Sequence, residues 1–146
     1  MENVEMYSCL VKMIKWTHEF QNKVLENPIG LSPKSWAKEF CSIKFCLPRQ
    51  SGHTTFAKLL FEDVLENSLL IVPKLSYLRH IIKYYENTNG IGTVEDVKNG
   101  KFKGMPVNSI IVDCASLLSN ADIDKLYDEF SQLAYNQKNF VFLFLE

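Results

Sequence analysis

The sequence lacks any apolar run that approaches the roughly 20 residues of a transmembrane helix. It also lacks the features of a secretory signal, because its first residues, MENVEMYSCLVKMIKW, carry early acidic side chains and a lysine inside the apolar stretch. We therefore expect a protein of the cytoplasm that does not act on a membrane.

The sequence also lacks an excess of either basic or acidic residues. Its 16 basic and 17 acidic residues leave a formal net charge of -1. A net charge this small supplies no general attraction to phosphate backbones, so a nucleic acid partner would need a local basic patch. Lys98, Lys101 and Lys103 are the candidates for such a patch, although lysines in a segment of this kind more often belong to a solvated loop.

Metal-binding patterns are absent from the sequence. Its four cysteines are scattered without a CxxC pair and are accompanied by only three histidines, so no spacing predicts a zinc site. Three of the four lie in segments that are predicted to be helix or buried strand, and we expect reduced thiols in the core. The cysteines are Cys9, Cys41, Cys46 and Cys114.

Apolar content, in contrast, is plentiful. Hydrophobic residues make up 47% of the 146 positions, which is enough for one substantial core. Near the N-terminus they recur at spacings of four and three, which predicts a helix to about residue 25. Ser32, as a cap, and Pro33 then begin a short second helix. The apolar stripe of the first helix comprises Met6, Leu10, Met13, Thr17, Phe20 and Val24.

Four β-prone segments, 43–47, 69–72, 110–112 and 140–145, alternate with helical segments along the rest of the chain. This alternation predicts βαβ crossovers and therefore an α/β fold with a parallel sheet between helices. The last segment is apolar throughout, so we expect it at the centre of the sheet and covered on both faces. We expect one domain over residues 1–146, with a helical preface over 1–41 and an α/β core over 42–146.

We expect the stretch 87–104 to be the least ordered part of the chain, because it is rich in Gly, Asn and Lys. Within it, residues 93–98 have the composition of a single helical turn. Thr93 is the expected cap of that turn.

The segment LPRQSGHT, residues 47–54, has the form of a phosphate-binding loop between a strand and a helix. Alignment with G-x-x-x-x-G-K-[ST] places Gly52 at the second glycine, His53 at the lysine and Thr54 at the hydroxyl that ligates magnesium. In such loops the backbone amides and the lysine bind phosphate oxygens. The candidate phosphate-binding residues are Arg49, Gln50, Ser51, Gly52, His53, Thr54 and Thr55.

Asp113 ends the apolar segment SIIVD. In nucleotide hydrolases, the carboxylate that holds the magnesium shell likewise stands at the end of an apolar strand. PRQSGHTT and SIIVDCAS resemble motifs of helicase-like P-loop ATPases, especially viral DNA-packaging terminase motors. The likeness extends over about residues 43–146 and includes the segment LIVP at 70–73, which is similar to the strand that follows the phosphate-loop helix.

This resemblance implies a three-layer fold with a parallel sheet of about four strands in the order 1-4-3-2. It also implies ATP as the ligand, with Mg²⁺ held by Thr54 and Asp113 if nucleotide binds. A viral origin, and with it the host cytoplasm, follows from the same resemblance. A small accessory or host-interfering protein would fit a chain of this length.

Two positions depart from the family's motifs. His53 replaces the lysine, and a histidine is mostly neutral at pH 7 and has a shorter reach. Cys114 falls where the family has the glutamate that orients the attacking water, and a thiol cannot replace that carboxylate. We therefore predict a degenerate, non-catalytic P-loop domain that binds a protein or nucleic acid partner, with weak or no nucleotide binding.

Two alternatives stay open at this level. The chain is an active ATPase of helicase or DNA-packaging type if Arg49 and His53 together serve the phosphates. It is a purely structural α/β interaction module if PRQSGHTT is an ordinary strand-to-helix turn.

Overall fold

A computed structural model describes residues 2–26, 30–46 and 53–146 of the chain. In these ranges, five strands alternate with helices. The elements are α1 (Glu2–Glu26), α2 (Pro33–Phe40), β1 (Ser42–Phe45), α3 (His53–Leu59), β2 (Ser68–Val72), α4 (Leu75–Ile81), β3 (Ile91–Thr93), α5 (Val94–Lys98), β4 (Ser109–Val112), α6 (Asn120–Asn136) and β5 (Val141–Leu145). A π-helical turn, Leu60–Val64, extends α3.

The strands form one parallel sheet in the order β1-β5-β4-β2-β3. The α/β class, the parallel sheet and the N-terminal helices are therefore confirmed. The predicted count of about four strands and the order 1-4-3-2 are corrected, because β3 adds a fifth strand beside β2. The other four strands lie side by side in the sheet in the order β1-β5-β4-β2.

The stretch 87–104 is structured, which corrects the expectation that it is the least ordered part of the chain. It contains β3 and α5, and the side chains of Ile91, Val97 and Phe102 are buried. The strand was missed because it has three residues, one of them a glycine, and shows no alternating pattern. Thr93 does cap α5: its hydroxyl accepts a hydrogen bond from the N–H of Asp96, as predicted.

Helices cover both faces of the sheet. On one face α2, α5 and α6 pack against the phenylalanines of β5 and its approach, Phe140, Phe142 and Phe144. On the other face α1, α3 and α4 pack against Val141, Leu143 and Leu145. All five residues of β5 are buried, which explains why this strand has no polar alternation.

The buried face of α1 differs from the predicted stripe. Leu10, Ile14 and Gln21 are buried, whereas Phe20 is exposed. The side-chain amide of Gln21 donates to the carbonyl oxygens of Phe40 and Phe140, at 2.9 and 2.8 Å. A polar residue therefore points inward here because it bonds the backbone at the starts of β1 and β5, a reason that apolar spacing does not show.

Candidate functional site

The carboxyl ends of parallel strands meet at one edge of the sheet, and the candidate site lies there. Residues 47–52 lie outside the described residues, so the predictions for Arg49, Gln50, Ser51 and Gly52 stay predictions. α3 begins at His53, directly after this loop; the side chains of His53 and Thr54 also lie outside the described part of the chain. Thr55 is exposed on α3.

Asp113 follows β4 at this edge and is fully buried. Its backbone N–H donates to the carbonyl oxygen of Ile71 in β2, at 3.0 Å. Its Oδ2 accepts a hydrogen bond from the hydroxyl of Tyr77 at 3.0 Å, and its Oδ1 accepts from the N–H of Cys114 at 2.9 Å. Each carboxylate oxygen therefore has a donor from the protein.

Cys114 completes this cluster, which consists of Tyr77, Asp113 and Cys114. The Sγ of Cys114 donates to the Tyr77 hydroxyl at 3.2 Å. Burial raises the pKa of the Cys114 thiol, and the charge of Asp113 raises it further, so the thiol is uncharged at neutral pH. The backbone of Cys114 is left-handed, with φ 51° and ψ 46°, a conformation that costs a residue with a side chain about 1–3 kcal/mol.

Tyr77 is the member of the cluster that sequence reasoning missed. It lies in the first turn of α4, two residues after the helix begins at Leu75. The available signal was its place shortly after β2, because residues that follow a parallel strand lie near the carboxyl edge. A second tyrosine, Tyr85, lies nearby. Burial raises the pKa of its phenol, and the charge of Asp113 raises this pKa further.

The three candidate lysines for a nucleic acid patch are largely engaged within the protein. The ammonium group of Lys98 lies 3.2 Å from a carboxylate oxygen of Asp122. Lys101 donates to the carbonyl oxygen of Ile91 at 2.9 Å and also lies near Asp96. Only Lys103 has no such partner in the described part of the chain, so this segment offers little free positive charge.

Cys41 is the one buried cysteine of the four, and burial raises its pKa to about 12. Cys9 and Cys46 are exposed, which corrects the expectation of core thiols. Across residues 2–26, 30–46 and 53–146, no group of three or more His, Cys, Asp or Glu side chains is placed to hold a metal ion. Within the same ranges, no helix is both long and apolar enough to cross a membrane.

Comparison of the chain with protein-family models, with curated proteins and with solved structures found no match. The sheet and the Tyr77–Asp113–Cys114 cluster are therefore the features that bear on function.

Proposed function

We propose that this chain is a degenerate P-loop NTPase-like domain of the helicase or terminase type that acts by binding a partner and does not hydrolyse ATP. Two features support the ancestry. β5 lies between β1 and β4, as the fourth predicted strand lies between the first and the third in the order 1-4-3-2 that the resemblance implies. A helix follows β1 and its loop, and Asp113 follows β4.

The state of Asp113 carries the proposal that catalysis has been lost. A magnesium-binding carboxylate must present an oxygen to the ion or to its water shell. Both oxygens of Asp113 instead accept hydrogen bonds from Tyr77 and Cys114, and the residue has no exposed surface. A metal ion that approached Oδ2 would compete with the Tyr77 hydroxyl for this oxygen.

The residue types at the other positions point the same way. His53 supplies less positive charge than lysine, and Cys114 supplies no water-orienting carboxylate. A protein partner fits better than nucleic acid, because Lys98 and Lys101 are engaged within the chain. Nucleotide binding, a viral origin and the host cytoplasm stay predictions from the resemblance.

Calorimetric titration with ATP and Mg²⁺ tests the proposal. We expect weak or no heat of binding for the unaltered chain. His53→Lys should raise the affinity at least tenfold, about 1.4 kcal/mol, if the loop keeps the phosphate-binding shape. Adding Tyr77→Phe to His53→Lys should raise it further, because the Asp113 carboxylate then loses a competing donor. His80→Lys, at an exposed histidine on α4, is the matched control and should change nothing.

The alternatives give different results in the same assays. ATP hydrolysis that Thr54→Ala and Asp113→Ala both abolish would make the chain an active ATPase and overturn the proposal. No gain of affinity in His53→Lys, alone or with Tyr77→Phe, would indicate the purely structural α/β module instead.

A further inference from the structure

The sheet has an open edge at β1. Among the described residues, β1 pairs with a strand on one side only, that of β5, because it is the first strand in the order β1-β5-β4-β2-β3. The carbonyl oxygens of Cys41 and Phe45 accept hydrogen bonds from Phe142 and Glu146, so these residues face β5. Successive residues of a strand direct their N–H and C=O groups to opposite sides.

Ser42 and Lys44 therefore direct their backbone groups away from the sheet. Within the described part of the chain, neither residue makes a backbone hydrogen bond to another element on the open side. Two N–H and two C=O groups are thus available in the spacing of a parallel or antiparallel ladder. An extended backbone can pair with such a row at both residues at once.

An apolar groove lies along one side of this edge. It has a volume of about 350 Å³, and Ser42 forms part of its wall. α1 contributes Trp16 and Phe20, which are 76% and 55% exposed. The ring of Phe40, at the end of α2, stacks on Phe20 with centroids 5.7 Å apart. Exposed aromatic side chains held in a fixed arrangement are typical of protein contact sites.

A polar cavity of about 730 Å³ lies on the other side of the same edge, between β1 and α6. Lys44 and Lys38 line it together with Asp124 and Tyr127. Lys38 pairs with Asp124 at 3.3 Å, whereas Lys44 has no ion-pair partner among the described residues. The side of the edge beside α6 therefore offers one uncompensated positive charge to whatever lies against it.

We infer that the β1 edge binds an extended segment of a partner protein as a sixth strand, with an apolar side chain in the groove of Trp16 and Phe20 and an acidic side chain beside Lys44. Alternation of apolar and acidic residues follows from the period of two in a strand, since neighbouring residues face the two sides of the edge in turn. This inference gives a location to the partner binding in the proposed function and rests on it.

A second copy of the chain is a poorer occupant than an acidic peptide. Antiparallel pairing of two β1 edges centred on Lys44 would set two lysines opposite each other, and like charges in that arrangement are destabilising. A lysine on a short edge strand is also a common means of preventing self-association. A partner that supplies a carboxylate converts this same residue into a specific contact.

Selection from a displayed random-peptide library against the whole chain, followed by anisotropy measurements on the selected peptide, tests the inference. We expect selected peptides that alternate apolar and acidic residues. Lys44→Pro removes the outward N–H without touching the ladder to β5, because proline is tolerated where a strand's N–H faces solvent. The affinity of the peptide should fall at least tenfold in Lys44→Pro. It should fall less in Lys44→Ala, which keeps the N–H, and Trp16→Ala should also weaken binding.

Amide hydrogen exchange on the unaltered chain provides a measurement that needs no variant. The amides of Ser42 and Lys44 should exchange quickly in the free chain and become protected when the peptide binds. Failure to select such peptides, equal binding to Lys44→Pro, or unchanged exchange at Lys44 would overturn the inference. A dimer in sedimentation that Lys44→Pro abolishes would replace the partner with a second copy. None of these measurements involves nucleotide, so their failure is distinct from a failure of the phosphate-loop proposal.

Discussion

Asp113 is buried next to two tyrosines and a thiol, and the direct hydrogen bond from Tyr77 keeps its carboxylate satisfied. A buried carboxylate without donors would be very costly, so this contact stabilises the fold. In the function that we propose, the same hydroxyl also competes with a metal ion for the carboxylate.

We predict that Tyr77→Phe lowers the free energy of unfolding by about 1–3 kcal/mol, because it leaves the buried Asp113 with one fewer donor. Chemical denaturation measures the change. Tyr84→Phe is the matched control, since Tyr84 is exposed, and it should stay within about 0.5 kcal/mol of the unaltered chain. Equal effects of the two substitutions would contradict the role of the hydroxyl.

At the residue scale, the sequence indicates that Asp113 stands at the end of an apolar strand, but it does not indicate that Tyr77 contacts this carboxylate. A carboxylate directly after an apolar strand is visible in the sequence SIIVD. The contact with Tyr77 depends on β4 lying beside β2, because α4 begins shortly after β2 and brings the tyrosine over the end of β4. Strand order is a property of the whole sheet, so a local pattern does not contain it.

At the scale of elements, β3 and α5 form a closely packed unit, of which the sequence predicts only α5 and its cap. Thr93 and Asp96 cap each other reciprocally: each side chain accepts from the other residue's N–H. Gly92 is required by close approach, because a Cβ there would lie 2.6 Å from Phe102 and 2.8 Å from the Asp96 carboxylate. The capping residue was recognisable from the sequence, whereas the three-residue strand was not.

We predict that Thr93→Val destabilises the protein by about 0.5–2 kcal/mol, because the Asp96 N–H loses its acceptor at a partly buried position. Thr93→Ser keeps the oxygen and should cost less. Thermal or chemical unfolding of the two variants compares them directly. If Thr93→Ser were the more damaging substitution, methyl packing rather than capping would be the main contribution of Thr93.

On the scale of the whole molecule, α1 is part of the core and not an appendage. Leu10 and Ile14 pack against the face of the sheet that carries Leu143 and Leu145. The sequence predicted the helix but assigned its inner face imperfectly, because α1 carries apolar residues on several sides, including the exposed Trp16 and Phe20. Which side turns inward is decided by contacts with distant elements, among them the bonds of Gln21.

We predict that Leu10→Ala lowers the free energy of unfolding by about 2–5 kcal/mol, since it opens a cavity between α1 and the sheet. Trp16→Ala should change it by no more than about 0.5 kcal/mol, because that side chain is exposed. Denaturant titration of both variants gives the comparison. A larger loss from Trp16→Ala than from Leu10→Ala would mean that α1 buries its opposite side.

The position of β5 has a further consequence, which concerns synthesis on the ribosome. Ser42 pairs with Phe142, 100 positions later in the chain, and β5 lies between β1 and β4 and pairs with both. The nascent chain must therefore carry β1 and one side of β4 as unpaired apolar edges until β5 has emerged. Such long-range parallel pairing slows folding and exposes intermediates to aggregation. We expect the newly made chain to need protection by chaperones until that last pairing forms.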